Sequence, residues 1–284
     1  MSLLPHRIAL LGLLCLYCSC APAQHIMRGL EIGPWAGASL YFGDLNTDFR
    51  LNRPNLAGGF AARYNFNHRL AARISLNYGH LEAYDSDSDN PFERNRNLDF
   101  RTDIYDGTAQ FEFNFLPYIH GSREYYFTPY AFAGVSVFNY NPRTDIDGQT
   151  VELREFGTEG QMNGEEYLTL ASALTAGLGI RYDLSYELSL DVHFGLRNAN
   201  TDYLDDVSTS YPDRTDLIRS RGPLAYALSD RSLLLDTEGN RFDRQGEQRG
   251  DDTRKDRYLF LGIGINYYFG DVRCPDLSRR RRRR

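Results

Sequence analysis

The sequence predicts an all-β protein: an antiparallel, up-and-down transmembrane β-barrel of about eight strands, with long extracellular loops and short periplasmic turns. Three observations lead there. The first residues read as an export signal. Apolar and polar residues then alternate with period two in segment after segment, and the connections between those segments are short and long by turns.

The export signal occupies residues 1–23. Arg7 precedes an almost wholly apolar run from Ile8 to Tyr17, and Ala21-Pro22-Ala23 forms a small-x-small cleavage site before Gln24. The run is too short for a membrane-spanning helix, which needs about 20 residues. A lipidated Cys20 is the alternative, but Tyr17, Cys18 and Ser19 make a poor lipobox. Cleavage after Ala23 removes Cys15, Cys18 and Cys20 and leaves Cys274 as a lone exported thiol, free or bonded to another protein. The mature chain divides into a barrel at 24–270 and a periplasmic tail at 271–284, the tail holding Cys274 and six terminal arginines.

A mean hydropathy of -0.50 excludes a helical membrane protein but not a barrel with a polar interior. Aromatic residues at 13% and 25 glycines favour strands. The total charge of -6, less the single Arg7 and the six arginines from Arg279 to Arg284, leaves -13 on residues 24–278. An acidic exported body does not point to nucleic acid. Its cationic end, including Arg279 and Arg280, fits anionic lipid or an acidic protein instead.

In chain order the segments are 29–42, 56–66, 70–79, 105–115, 126–139, 171–183, 188–197 and 257–269. In the second, Leu56, Phe60 and Tyr64 alternate with Ala57, Ala61 and Arg63. In the third, Leu70, Ile74, Leu76 and Tyr78 alternate with Arg73, Ser75 and Asn77. The fourth and seventh repeat the pattern, with Asp106 and Glu112 against Tyr105, Phe111 and Phe113, and with Asp191, His193 and Arg197 against Leu190, Val192 and Phe194. Such lengths suffice for tilted strands to cross a bilayer, and bordering Tyr and Phe suit its two interfaces. Short turns fall near Asn67-His68 and Leu184-Ser185 and around His120-Gly121. Long connections fall at 43–54, 84–103, 140–170 and 199–256. Within the last, Leu224–Leu228 and Leu233–Leu235 read either as an extra hairpin, making ten strands, or as a loop folded over the barrel mouth. A soluble β-sandwich shares the alternation but not the export signal or the loop asymmetry.

The polar set predicts an interior charge network in which Arg63, Arg73, Arg181 and Arg197 pair with Asp106, Glu112, Asp183 and Asp191, with His193 beside Asp191 and Arg197. Eight strands leave room for side chains and little else, so no diffusion pore is expected. Asp85, Asp87 and Asp89 form a weak calcium candidate: alternate carboxylates can converge on a hard cation, but Asn90 and Arg96 stand where a calcium loop needs Gly and Glu. No G-x-S-x-G element, nucleophile–base spacing or zinc cluster is present, so no catalytic residue, cofactor or small-molecule substrate is expected.

Several motifs remain. Glu31-Ile32-Gly33-Pro34-Trp35 leads into Tyr41-Phe42-Gly43-Asp44-Leu45-Asn46, and Asn90-Pro91-Phe92 precedes Arg96-Asn97-Leu98. Phe127-Thr128-Pro129-Tyr130 opens the fifth segment, and Phe138 to Pro142 closes it. Gly157 to Gln161, Thr201-Asp202-Tyr203-Leu204-Asp205-Asp206-Val207-Ser208 and Cys274-Pro275 follow. In this order, across nearly the whole mature chain, the set resembles the PorG-like outer-membrane barrels of the type IX secretion system. The resemblance implies a non-enzymatic outer-membrane component that supports secretion and, in some members, gliding. It also implies association with a periplasmic ring of a PorK-like lipoprotein and a PorN-like partner. Cys274 is the candidate for a disulfide to that ring, and Pro275, Arg279 and Arg280 are candidate contacts. The alternative is a stand-alone surface barrel of the OmpA/OmpX sort, acting in adhesion or envelope stability.

Overall fold

The computed structural model describes residues 29–239 and 241–270. The residues read as an export signal, and Cys274, Pro275, Arg279 and Arg280, lie outside the described residues. Eight long strands make the barrel: β1 (Gly29–Phe42), β2 (Asn55–Asn65), β3 (Leu70–Tyr84), β4 (Asp99–Asn114), β5 (Phe127–Asn139), β8 (Leu170–Asp183), β9 (Leu188–Ala199) and β10 (Arg257–Phe269). Each pairs antiparallel with its neighbours, and β1–β10 closes the ring. Followed once around from Phe42, the ladder passes Arg257, Asn198, Leu174, Val135, Ala109, Ile74 and Ala62. It returns to β1 at Ile32, ten residues lower. A shear of that size on eight strands tilts them by roughly 35–45° and leaves an interior that side chains fill.

The alternation sorts side chains between lipid and lumen. Leu56 is 74% exposed and Phe111 71%, while Arg63 and Arg73 beside them on the inner face are buried. Outward aromatic pairs border the periplasmic rim at Tyr64–Phe66, Phe113–Phe115, Tyr126–Tyr182 and Tyr267–Phe269. On β3 and β4 the opposite edge is the Tyr78–Tyr105 pair. No described helix is long and apolar enough to cross a membrane; the crossing is made by strands. An apolar band edged by aromatics around a closed polar core is the architecture of an outer-membrane barrel.

The turns obey local chemistry. The Asn67 side chain accepts the amides of Arg69 and Leu70, closing the β2–β3 turn. Ser185 Oγ accepts those of Glu187 and Leu188 and closes β8–β9 in the same way. Two departures from the sequence reading concern the long connections. First, β3 and β4 run on past the membrane edge to the rung Tyr84↔Asp99. There the outward residues turn polar (His80, Glu82, Arg101, Asp103) while the inward ones stay buried (Leu81, Ala83, Phe100, Ile104), so the ladder continues in water. Second, of the two readings of 224–235 the loop over the mouth holds, and a hairpin forms elsewhere. Leu224–Leu228 is helical, and β6 (Arg143–Ile146) pairs with β7 (Gln149–Glu152) across Asp147-Gly148, both at positive φ. That two-residue Asp-Gly turn is a strong hairpin signal.

The long loops fold over the mouth. Helix α1 (Pro91–Arg96) starts at Asn90, whose side chain accepts the Phe92 amide, and stops at Asn97 in the left-handed region. Helices α2 (Arg214–Arg221) and α3 (Pro223–Ser229) bury Leu217, Ala225 and Leu228. With Leu45, Leu98, Phe100, Leu153, Leu204 and Val207, Leu228 joins a buried core that continues down to Trp35 inside the barrel.

Candidate functional site: the charged floor and the capped mouth of the barrel

At the periplasmic end, guanidinium groups reach across the lumen. Arg63 on β2 donates to Glu112 on β4 (2.6 Å), to Glu31 on β1 (3.0 Å) and to Asp191 on β9 (2.6 Å). Arg181 on β8 donates to Glu112 at 2.7 Å, Arg73 lies 3.5 Å from Asp191, and Tyr130 donates to Asp191. Every one of these groups is buried. Buried carboxylates with no water need such cations, and a guanidinium with several donors can serve three at once. The lumen is thereby closed by side chains at this level. Below them the segment 115–126 brings His120 to Glu31 (3.2 Å) and Asp183 (3.0 Å). Burial alone would lower the His120 pKa, but the hydrogen bonds to Asp183 and Glu31 raise it overall.

The predicted network therefore assembles around Arg63, Arg73, Arg181, Glu112 and Asp191, with corrections. Asp183 meets Tyr118, His120 and the Gly121 amide instead of an arginine, because it sits at the last rung beside that turn. Asp106 and Arg197 form a separate layer nearer the mouth, at 3.4 Å, joined by Tyr258. His193 lies between the layers, 3.1 Å from Asp191 and edge-on to Trp35. The indole and this imidazole fit because Gly262 has no side chain; a Cβ there would fall 2.5 Å from Trp35. Glu31 was not among the predicted partners, although it occupies an inward position two residues from Gly33.

At the mouth the chemistry changes sign. Tyr41, at the top of β1, places its hydroxyl 2.6 Å from Asp205 Oδ2 and 2.8 Å from Asp256 Oδ1. The remaining oxygens accept backbone amides: Asp205 Oδ1 that of Val207, Asp256 Oδ2 that of Leu204. Burial pushes both carboxyls well above the usual range, and the charge of Asp44 adds to each. Burial likewise pushes Asp44 up to about 7, and Asp206 up to about 6 against the pull of Arg249.

Two buried arginines bind the loops together. Arg96 donates to Asp85 (2.7 and 2.8 Å) and to the carbonyls of Asp44 and Arg249. Arg249 donates to Glu159 (2.9 Å) and to the carbonyls of Asp206 and Ser229. All four long loops are thus joined. The Thr201–Ser208 motif is the centre of the cap. Thr201 meets Tyr140, Asp202 accepts from Ser208, Tyr203 stacks on Tyr167 at 4.7 Å, and Asp206 accepts from Thr158 and Tyr167.

The calcium candidate does not assemble. Asp85 is taken by Arg96 and the Leu98 amide, Asp87 by Arg53 and Asn52, and Asp89 lies exposed. Among the described residues no serine hydroxyl is hydrogen-bonded to a histidine ring; the Ser75 hydroxyl accepts from Asn77, and Ser189 makes no side-chain bond.

Among solved structures, Neisserial surface protein A is 11% identical with a TM-score of 0.42, over 84% of this chain and 97% of that one. The outer membrane protein OprG of Pseudomonas aeruginosa is 12% identical with a TM-score of 0.42, over 87% and 97%. Ail, the attachment invasion locus protein of Yersinia pestis, is 12% identical with a TM-score of 0.38, over 87% and 100%. The closed ladder by itself makes the chain a barrel. No curated protein matches the chain. Residues 8–221 match the Domain of unknown function DUF6089, and the chain belongs to that family.

Proposed function

We propose that this barrel is a non-enzymatic surface protein whose working part is the extracellular cap, with a role in adhesion or envelope stability. The observation that carries the reading is the order built into the loops. Fixing a residue's backbone costs roughly 1–2 kcal/mol, and a barrel needs none of this order to stay in a membrane. Here four loops share one apolar core and two buried arginines, which holds a defined face toward the outside. In cells lacking the protein, a variant with 202–255 replaced by a short turn should reach the outer membrane, yet fail to restore surface attachment and resistance to detergent. Full rescue by that variant removes the cap from the function.

A second reading couples the barrel to a type IX secretion ring, favoured by the ordered motif set. Most of those motifs build the cap, so the periplasmic side must carry the contact: the turns, the exposed Tyr125, Tyr126 and Tyr186 of the rim, and the tail with Cys274, Pro275, Arg279 and Arg280. In this reading Cys274 bonds to a PorK-like lipoprotein beside a PorN-like partner. Non-reducing electrophoresis should then show a heavier species that Cys274→Ser abolishes; persistence of the band in that variant ends the disulfide idea.

A further inference from the structure

We propose that the cap is latched by a proton held between Asp205 and Asp256, so that the mouth of the barrel loosens as the medium becomes alkaline. The inference holds whichever partner the cap meets. Two carboxylate oxygens lie within hydrogen-bond distance of the Tyr41 hydroxyl. That hydroxyl owns one hydrogen and can donate to only one of them. The second short contact requires the hydrogen to come from the carboxyl itself, donated to the phenolic oxygen. The other two oxygens of the pair are occupied by amides.

Among the described residues no arginine, lysine or histidine forms an ion pair with either carboxyl, and Lys255, next in the chain to Asp256, acts on Asp202. Arg96 faces the pair from α1 but is committed to Asp85, and Arg249 is committed to Glu159 and Asp206. The other groups bearing on the pair add negative charge or none. Asp44 comes from the first loop, Asp202 from the fourth, and the Tyr140 and Tyr167 hydroxyls from the third. Asp205 and Asp256 are each 1% exposed, so water cannot neutralise them. Gly43 shows how closely the latch is fitted, since a Cβ there would lie 2.0 Å from both Asp256 Oδ1 and the Tyr41 oxygen. With the proton gone, two buried carboxylates compete for one hydroxyl. The Leu204 and Val207 amides lose their acceptors as the pair separates, and the Thr201–Ser208 segment lifts from β1.

The test is hydrogen exchange of the full mature protein in lipid vesicles, read at the Leu204 and Val207 amides from about pH 5 to about pH 10 and divided by intrinsic rates. Opening linked to one proton should increase about tenfold per pH unit above the ordinary carboxyl range and level off at the raised value. Amides in the middle of β3 serve as the unchanging reference. Asp256→Asn places a permanent N–H where Oδ1 stands and keeps an acceptor for Leu204. It should remove this part of the pH dependence, and the difference from wild type isolates the latch from Asp44. EDTA should leave the profile unmoved. Constant protection in the wild type overturns the proposal. So does an Asp256→Asn profile equal to the wild type, or a profile shifted by EDTA, which would mean a metal ion in the proton's place.

Discussion

The floor and the mouth of the barrel are equally dry, and they neutralise buried carboxylates in different ways. At the floor Glu31, Glu112 and Asp191 share Arg63 and Arg181. At the mouth Asp205 and Asp256 share a tyrosine, two amides and a proton, while the nearest arginines serve other acids. Opposite charges persist at any physiological pH, whereas a proton is lost to the medium. The floor is therefore a permanent closure and the mouth a conditional one.

The largest break should come at the floor. Arg63→Met leaves three buried carboxylates without their common cation and should destabilise the barrel by about 3–5 kcal/mol in equilibrium urea unfolding from vesicles. If the loss is below that of a cap mutation, the ion network is not the keystone of the floor. Next in size is Gly43→Ala. The methyl group collides with Asp256 and Tyr41 and should weaken the cap by about 1–3 kcal/mol, detected as faster proteolysis of the loops with barrel unfolding unchanged.

The third effect is a slope. Asp44 rises from its ordinary 3.8 to about 7 in the folded cap, so the folded cap keeps a proton that opened loops release. Its contribution is complete below the ordinary value and is lost as pH rises through the folded one. Loop proteolysis should accordingly quicken between about pH 5 and about pH 8, and Asp44→Asn should remove the Asp44 share of that rise while leaving the share that Asp256→Asn removes. The smallest effect belongs to Arg53→Ala. Its fork on Asp87 is well formed (2.7 and 3.0 Å), but the side chain is 41% exposed. Water and salt screen such a pair, so a loss of less than about 1 kcal/mol is expected in the same unfolding assay.

Much of the wall was legible in the chain because a strand has one period and a barrel has two solvents. Arg63, Arg73, Glu112 and Asp191 each fall on the polar set of an alternating run, and all four point inward. Glu31 obeys the same rule. It was missed because its strand is rich in Gly, Ala and Pro, which blurs the contrast between faces. The cap was harder to read. Arg96 and Arg249 look like ordinary loop arginines, and only the meeting of four loops removes them from water. The β6–β7 hairpin did leave a local trace, Asp147-Gly148, while the apolar run at Leu224–Leu228 suited a helix after Pro223 equally well.

Alternation and turn residues are local properties, so the linear chain already contained the eight barrel segments, the lipid-facing side and the alternation of short and long connections, while leaving open whether 199–256 added two further strands. Which arginine serves which acid is not local. The shear of the closed sheet sets Arg63 opposite Glu112 and Asp191, and the folding of the loops brings Asp205 and Asp256 to Tyr41 from 164 and 215 residues away. Whether a buried carboxylate meets a cation or another carboxylate depends on those distances, and they exist only once the sheet has closed and the loops have folded.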